Sequence, residues 1–105
     1  MQRIKLTSAG SICDFDHGEG WVTFSWVTTD GLDALLTIDL NGHCSREMPV
    51  RSGTENEIVA VESDRIQLRF RPELADKLQL ETDVEMICDF DDATLADLRR
   101  LWEYY

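Results

Sequence analysis

The chain has 105 residues, of which 21 are acidic and 10 are basic, so its formal net charge is -11 at pH 7. Such a charge repels nucleic-acid phosphates and anionic membrane surfaces, which excludes both as partners, and it attracts basic proteins. Because 43% of the residues are hydrophobic and only two are proline, the composition excludes a disordered chain and predicts a single domain over residues 1–105.

The beginning of the chain predicts two strands with a polar loop between them. Arg3 to Leu6 predicts a first short strand, and the glycines at positions 10, 18 and 20 predict a break after it. Trp21 to Val27 is rich in aromatic and β-branched residues and predicts a strand that is apolar on both sides.

A hairpin is predicted in the middle of the chain. Ala34 to Leu40 predicts a strand, and Asn41-Gly42 predicts a type I′ turn after it, since both central residues of that turn need positive φ. His43 to Met48 is the returning strand. Pro49 predicts that this strand lies at a sheet edge, because proline cannot donate to a strand ladder. Val50 to Asn56 predicts a polar loop.

A second hairpin and a short helix follow. Glu57–Glu62 and Arg65–Arg71 predict two strands joined at Ser63-Asp64. Pro72 fits the first position of a short helix, where its missing N–H has no consequence. Asp83 to Phe90 predicts the last strand.

The chain ends in a predicted amphipathic helix. Leu95, Leu98, Leu101 and Trp102 fall at helical spacing, and Asp91 or Asp92 is placed to cap the helix. We expect Leu98 and Trp102 to pack on the sheet. The predicted fold class is therefore α+β: a mostly antiparallel sheet of five to seven strands with a short helix and a C-terminal amphipathic helix packed on one face.

Cysteine usage and the absence of long apolar segments predict a cytoplasmic protein. Cys13, Cys44 and Cys88 are odd in number and lack the spacing of a disulfide framework. No apolar run has the length of a signal peptide or a membrane span. Cys88 alternates with Met86 and Phe90, which predicts a thiol on the core side of its strand.

Metal and catalytic sites are not predicted. The segment Asp14-Phe15-Asp16-His17-Gly18 fails the calcium-loop pattern, because glycine comes fifth rather than sixth and Ser25 stands at the twelfth position. Cysteine and histidine lack the paired spacing of a zinc site. No nucleophile elbow, phosphate loop or metalloprotease motif is present. We predict no catalytic residues, no metal, no cofactor and no enzyme activity, with an enzyme or metal binder kept as a third alternative.

Three arginines on one predicted strand raise the question of a basic stripe. Arg65, Arg69 and Arg71 alternate along it, but acidic residues on the neighbouring strands predict cross-strand ion pairs instead. The candidates for these pairs are Glu57, Glu62, Glu85 and Asp89.

Four segments of the C-terminal half share hydrophobic spacing with a known family: Val61–Phe70, Pro72–Ala75, Val84–Asp92 and Leu95–Leu101. Together they resemble the immunity protein 10 family, whose members are predicted to neutralise toxins of bacterial polymorphic toxin systems. The resemblance implies a small cytosolic protein that binds a toxin domain. It supplies no catalytic residues.

Acidic residues in predicted loops are the candidate partner-binding residues. The first group is Asp14, Asp16 and Glu19, which flank Trp21 and have no predicted structural role; the second is Asp30 and Asp33. We expect them to cover a cationic active-site cleft. Two alternatives stay open. These side chains are merely solvated, or the protein is a structural or adaptor module that forms a homodimer through an edge such as His43–Met48 or binds another protein without inhibiting a toxin.

Overall fold

The computed structural model describes residues 1–46, 51–53 and 56–104. Within these ranges the chain forms nine strands and two helices. In chain order they are β1 (Gln2–Lys5), β2 (Ser8–Asp14), β3 (Glu19–Val27), β4 (Asp33–Asp39), β5 (Cys44–Arg46), β6 (Arg51–Gly53), β7 (Asn56–Glu62), β8 (Arg65–Phe70), α1 (Pro72–Leu78), β9 (Asp83–Ile87) and α2 (Asp92–Tyr104).

The strands form two sheets. The four-stranded sheet has the order β1-β9-β8-β7, with β1 parallel to β9 and the other pairs antiparallel. The five-stranded sheet is an antiparallel meander, β2-β3-β4-β5-β6. The predicted α+β class and mostly antiparallel pairing are confirmed, although the strands are divided between two sheets instead of forming one.

The division between the sheets occurs directly after β1. The Leu6 N–H donates to the Ile87 carbonyl of the four-stranded sheet, and the Thr7 N–H donates to the Ser25 carbonyl of the five-stranded sheet. Two successive residues thus bond to different sheets, and both sheets bury their inner sides in one hydrophobic core. Val22, Phe24 and Trp26 supply this core from β3.

Helix α1 closes one part of the core. Pro72 occupies its first turn, as predicted, and Leu74, Ala75 and Leu78 are buried. Gln79 ends the helix in the left-handed region at φ 56°. Arg46 of β5 donates to the Leu78 carbonyl at 2.7 Å, which ties the end of this helix to the five-stranded sheet.

Helix α2 packs against β2, β3 and β7. The Asp91 carboxylate accepts the Thr94 N–H at 2.7 Å, so the predicted cap is confirmed. Leu98 and Leu101 are fully buried, whereas Trp102 is 42% exposed. The prediction that Trp102 docks on the sheet is therefore wrong. At about 100° per residue, Trp102 lies at the margin of the stripe formed by Thr94, Leu98 and Leu101.

Strand β5 is not a sheet edge. It pairs with β4 on one side and with β6 on the other, so the predicted polar loop at 50–56 contains a strand at Arg51–Gly53. The predicted edge at 43–48 is therefore wrong for the part of that segment in β5, and self-association of the protein stays a prediction. Glu47, Met48 and Pro49 lie outside the described residues.

Two local predictions, one before β3 and one after β4, are also wrong. Residues 8–14, where the glycine at position 10 predicts a break, form β2 and pair along their whole length with β3. In the turn after β4, Gly42 has φ 79° but Asn41 does not have positive φ, so the turn is not type I′. The Asp39 carboxylate shapes it instead, since it accepts the N–H groups of Asn41 and His43, each at 2.9 Å.

Candidate protein-binding face

The predicted acidic residues lie at the two ends of β3. Asp14 is the last residue of β2, Glu19 is the first of β3, and Asp16 lies in the turn between them. Asp30 lies in the turn after β3, and Asp33 begins β4. All five are exposed. The eight residue steps of β3 separate the two groups by about 27 Å, so the structure does not gather them into one cluster.

Both groups nevertheless border one surface. Because Val22, Phe24 and Trp26 point into the core, the alternate residues of β3 and their cross-strand partners point outward. We call the outward-facing side chains of β2, β3 and β4 the acidic face. Its members are Ser8, Gly10, Ile12, Asp14, Glu19, Trp21, Thr23, Ser25, Val27, Asp33, Leu35, Thr37 and Asp39.

The charge on this face is of one sign. Its three strands carry four outward carboxylates and neither lysine nor arginine. Arg3, Lys5, Arg65 and Arg69 lie instead on the outer side of the four-stranded sheet, where their neighbours Ile4, Ile66 and Leu68 point into the core. The two sheets therefore present outer surfaces of different charge.

The arginines at positions 3, 65 and 69 are paired there. Arg65 lies 3.3 Å from the Glu62 carboxylate and 3.4 Å from that of Glu85, and Arg69 lies 3.0 Å from Asp83. Glu85 is nearly buried and also lies 3.7 Å from Arg3. The predicted cross-strand pairing of Arg65 is confirmed. The ion-pair partner of Arg69 is Asp83, which is not among the predicted acids. Glu57, which is among them, stands directly opposite Arg69 on β7.

Large apolar side chains interrupt the acidic face at both ends. Ile12 and Trp21 are direct cross-strand partners, and they are 66% and 47% exposed. Val27 and Leu32, at the other end of β3, are 50% and 65% exposed. Exposed tryptophan and aliphatic residues among polar neighbours are typical of protein-binding surfaces.

The turn between β2 and β3 has a defined structure. The Asp14 carboxylate accepts the His17 N–H at 3.2 Å, and its second oxygen lies 2.7 Å from the His17 ring. Gly18 completes the turn with φ 67°. The prediction that Asp14 has no structural role is therefore wrong, because this residue both shapes the turn and carries charge.

Helix α2 holds this turn from behind. The Arg100 guanidinium lies 4.3 Å from the centre of the Phe15 ring, and Tyr104 packs edge-on against Phe15 with 6.0 Å between ring centres. Further along β2, the Ser11 hydroxyl donates to Asp97 at 2.6 Å. These contacts fix the end of the hairpin that carries Asp14, Asp16 and Glu19.

The chain matches no family model, no curated protein and no solved structure. The resemblance of its C-terminal half to the immunity protein 10 family thus stays a prediction.

The three cysteines are free thiols, and none is activated. Burial, reinforced by Asp39, raises the pKa of the Cys44 thiol to about 12. Burial is also the main cause that raises the pKa values of Cys13 and Cys88. Cys88 is only partly buried, because it lies just past the end of β9, where the predicted alternation stops. A thiol whose pKa is raised is a poor nucleophile at neutral pH.

Other ligand sites are few in the described part of the chain. No group of three histidine, cysteine or acidic side chains there is placed to hold a metal ion. Neither described helix has the length and apolar character needed to cross a membrane. A depression of about 270 Å³ opens beside Thr7, Ser25, Asp33 and Leu35. It is slightly smaller than a typical small-molecule pocket.

Sequence reasoning missed two members of the acidic face near Trp21. The sequence predicts a break near Ile12, and it predicts a strand at Asp39 without assigning this residue to a partner-binding surface. The strand register is what places both residues next to Trp21. With the turn at residues 15–18, Ile12 falls opposite Trp21, and the pairing of β3 with β4 places Asp39 on the other side of Trp21.

Proposed function

We propose that the protein is an immunity-type inhibitor that binds a cognate bacterial toxin domain and neutralises it by covering its active site with the acidic face. The observation that carries this proposal is the composition of that face: four carboxylates, no basic side chain and an exposed Trp21–Ile12 pair on one outer surface.

The charge of this face matches the chemistry of one class of toxin. A nuclease must bind the phosphates of its substrate and therefore has a basic cleft. Carboxylates placed over such a cleft attract it at long range and raise the association rate. The apolar pair then supplies contact area that charge alone does not provide, since interface energy is concentrated in a few well-packed aromatic residues.

The rigidity of the acidic face favours the same function. Its strands are paired on a buried core, and the turn that carries Asp16 is held by Asp14 and by the contacts of Phe15 with α2. A surface that is ordered before binding loses little conformational entropy when it binds. Within this proposal the protein acts by occlusion and performs no catalysis, in keeping with thiols that are not activated.

The test begins with the product of the adjacent gene. We expect the protein to co-purify with a basic toxin domain encoded there and to suppress its activity in an assay of nucleic-acid cleavage. Reversal of Asp14, Asp16 and Glu19 to lysine should weaken both binding and inhibition by at least about tenfold, because attraction becomes repulsion at one end of the face. A double variant with Asp30→Lys and Asp33→Lys tests the contribution of the other end of the acidic face to binding.

A matched control changes the same amount of charge elsewhere. Glu73, Asp76 and Glu81 are exposed and lie on or just after α1, outside the acidic face. Their reversal to lysine should lower the association rate modestly through net charge and leave inhibition intact. If this control variant loses inhibition as fully as the variant of Asp14, Asp16 and Glu19, the acidic face is not the binding surface.

A further inference from the structure

We infer that Trp21 is the position at which the acidic face receives an arginine side chain of its protein partner. The inference rests on the proposed function for the identity of the partner, but it names the chemical group that is bound, a guanidinium ion, and the residue that binds it.

The strand register places Trp21 among carboxylates. Its direct neighbour on β4 is Asp39, and Glu19 lies two residues earlier on the same face of β3. Asp14 stands opposite Glu19 on β2, diagonal to Trp21. Ile12 is its direct partner on β2. An indole that is 47% exposed is thus bordered by acidic groups on both neighbouring strands and by an apolar side chain.

Two of these carboxylates are held in position. Asp14 is fixed by the His17 N–H and ring, and Asp39 by the N–H groups of Asn41 and His43. Fixed negative charge beside an aromatic ring is favourable for a cation that contacts the ring face and donates hydrogen bonds at its edge.

The protein already pairs arginine with other aromatic rings. Arg46 lies 5.1 Å from the ring centre of Trp26, and Arg100 lies 4.3 Å from that of Phe15. In the described part of the chain, no cation of the protein lies over Trp21. Because Trp21 is 47% exposed, a cation from outside can reach its ring, and the charge of the face selects a cationic side chain.

Arginine fits this position better than lysine. Its guanidinium is planar, weakly hydrated and carries five N–H donors, so it can stack on the indole while it binds carboxylates at the ring edge. A lysine ammonium is a compact ion that keeps its hydration. The expected signature is a preference for arginine over lysine that depends on Trp21.

The test uses synthetic ten-residue peptides of arginine and of lysine, with binding followed by fluorescence anisotropy near physiological salt. Wild-type protein should bind the arginine peptide roughly two- to fivefold more tightly than the lysine peptide, the range of an exposed cation–π contact. Trp21→Leu should abolish this ratio. Trp102→Leu, which removes the exposed tryptophan of α2, should preserve it. Glu19→Gln should weaken binding of both peptides more than Glu73→Gln does.

Equal binding of the two peptides by wild-type protein would overturn the inference, and so would an equal loss of the preference in the Trp21 and Trp102 variants. The peptide measurement requires no toxin. A protein that prefers arginine through Trp21 but inhibits no toxin would refute the proposed function alone, and an inhibitor without this preference would refute the inference alone.

Discussion

The ionised carboxyl group of Asp91 caps the beginning of α2 and stabilises this helix. Hydrogen bonds from the Thr94 backbone N–H and side chain lower the pKa of the Asp91 carboxyl below its ordinary value of 3.8. Because its pKa is lowered in the folded state, the stabilisation is complete above pH 3.8 and is lost as the pH falls through the lowered value.

Asp91→Ala should lower the melting temperature at pH 7 by about 4–8 °C, the size of effect expected when a chain of this length loses a helix cap. Thermal unfolding of both proteins between neutral and acid pH measures it. The difference should shrink below pH 3.8. A difference that persists undiminished in strong acid would show that the charge of Asp91 contributes nothing.

Gly20 occupies a position in β3 that admits no side chain. Its φ is 132°, and a Cβ atom there would lie 2.6 Å from the Cys13 Cα and collide with the Ile12 carbonyl. Gly10 in the neighbouring strand has nothing within 4 Å of the equivalent point. The two glycines thus allow the same substitution to be compared at a crowded and at an open position.

Gly20→Ala should destabilise the protein by at least about 2 kcal/mol, because backbone atoms of β2 must move. Gly10→Ala should be neutral or stabilise it by up to about 1 kcal/mol. Urea unfolding of both variants measures the change in the free energy of unfolding that each substitution causes. Equal effects of the two substitutions would contradict the close approach of β2 and β3 at Gly20.

Single residues also explain where sequence patterns were insufficient. Asn41-Gly42 suggested a type I′ turn, but the Asp39 carboxylate satisfies the N–H groups of the turn in another conformation. Residues 8–14 contain one β-branched residue, Ile12, and no aromatic residue, unlike β3. Their inward positions are the small residues Ala9, Ser11 and Cys13, which become recognisable as a strand face only once α2 covers them.

At the scale of elements, the parts with strong periodicity were predictable. β3, β4, β8 and α2 have buried residues at regular spacing, and the structure contains them near their expected bounds. β7 also lies near its expected bounds, although an irregularity between Ile58 and Ala60 interrupts its alternation. The division into two sheets was not predictable. It depends on the backbone bonds of Leu6 and Thr7 to different partners, and no side-chain pattern reports such bonds.

The contact between α2 and the β2–β3 turn is the element pairing on which the acidic face depends. Phe15 receives Arg100 on its ring face and Tyr104 at its edge. Without this contact the turn would be attached only through its two strands. The aromatic pair should therefore contribute both to stability and to the order of the turn.

A double-mutant cycle of Phe15→Ala and Tyr104→Ala should give a coupling energy of about 0.5–1.5 kcal/mol, the range for an edge-on aromatic pair. Urea unfolding of the wild-type protein, the two single variants and the double variant gives the free energies of unfolding for the cycle. Hydrogen exchange of the His17 amide should become faster in each single variant. Trp102→Ala combined with Phe15→Ala serves as the control cycle and should be additive. Additivity in the Phe15–Tyr104 cycle would show that the rings do not stabilise the turn.

At the scale of the whole molecule, the net charge of -11 is distributed unevenly. The four-stranded sheet pairs its arginines with neighbouring acids, whereas β2, β3 and β4 carry four outward carboxylates and neither lysine nor arginine. The sequence alone indicated the excess of negative charge and the five acidic candidates. Their placement at opposite ends of one face required the strand register, because Asp14 and Asp33 are 19 residues apart in sequence.

The central claim is that this face steers a cationic protein onto the inhibitor, and stopped-flow association with the co-purified toxin domain tests it most directly. For wild-type protein the association rate constant should fall steeply as salt rises from about 50 to 500 mM. The Asp14, Asp16 and Glu19 reversal should be slower at low salt and nearly insensitive to it, while the Glu73, Asp76 and Glu81 reversal should retain most of the wild-type slope. A wild-type rate constant that does not change across this range would contradict the account.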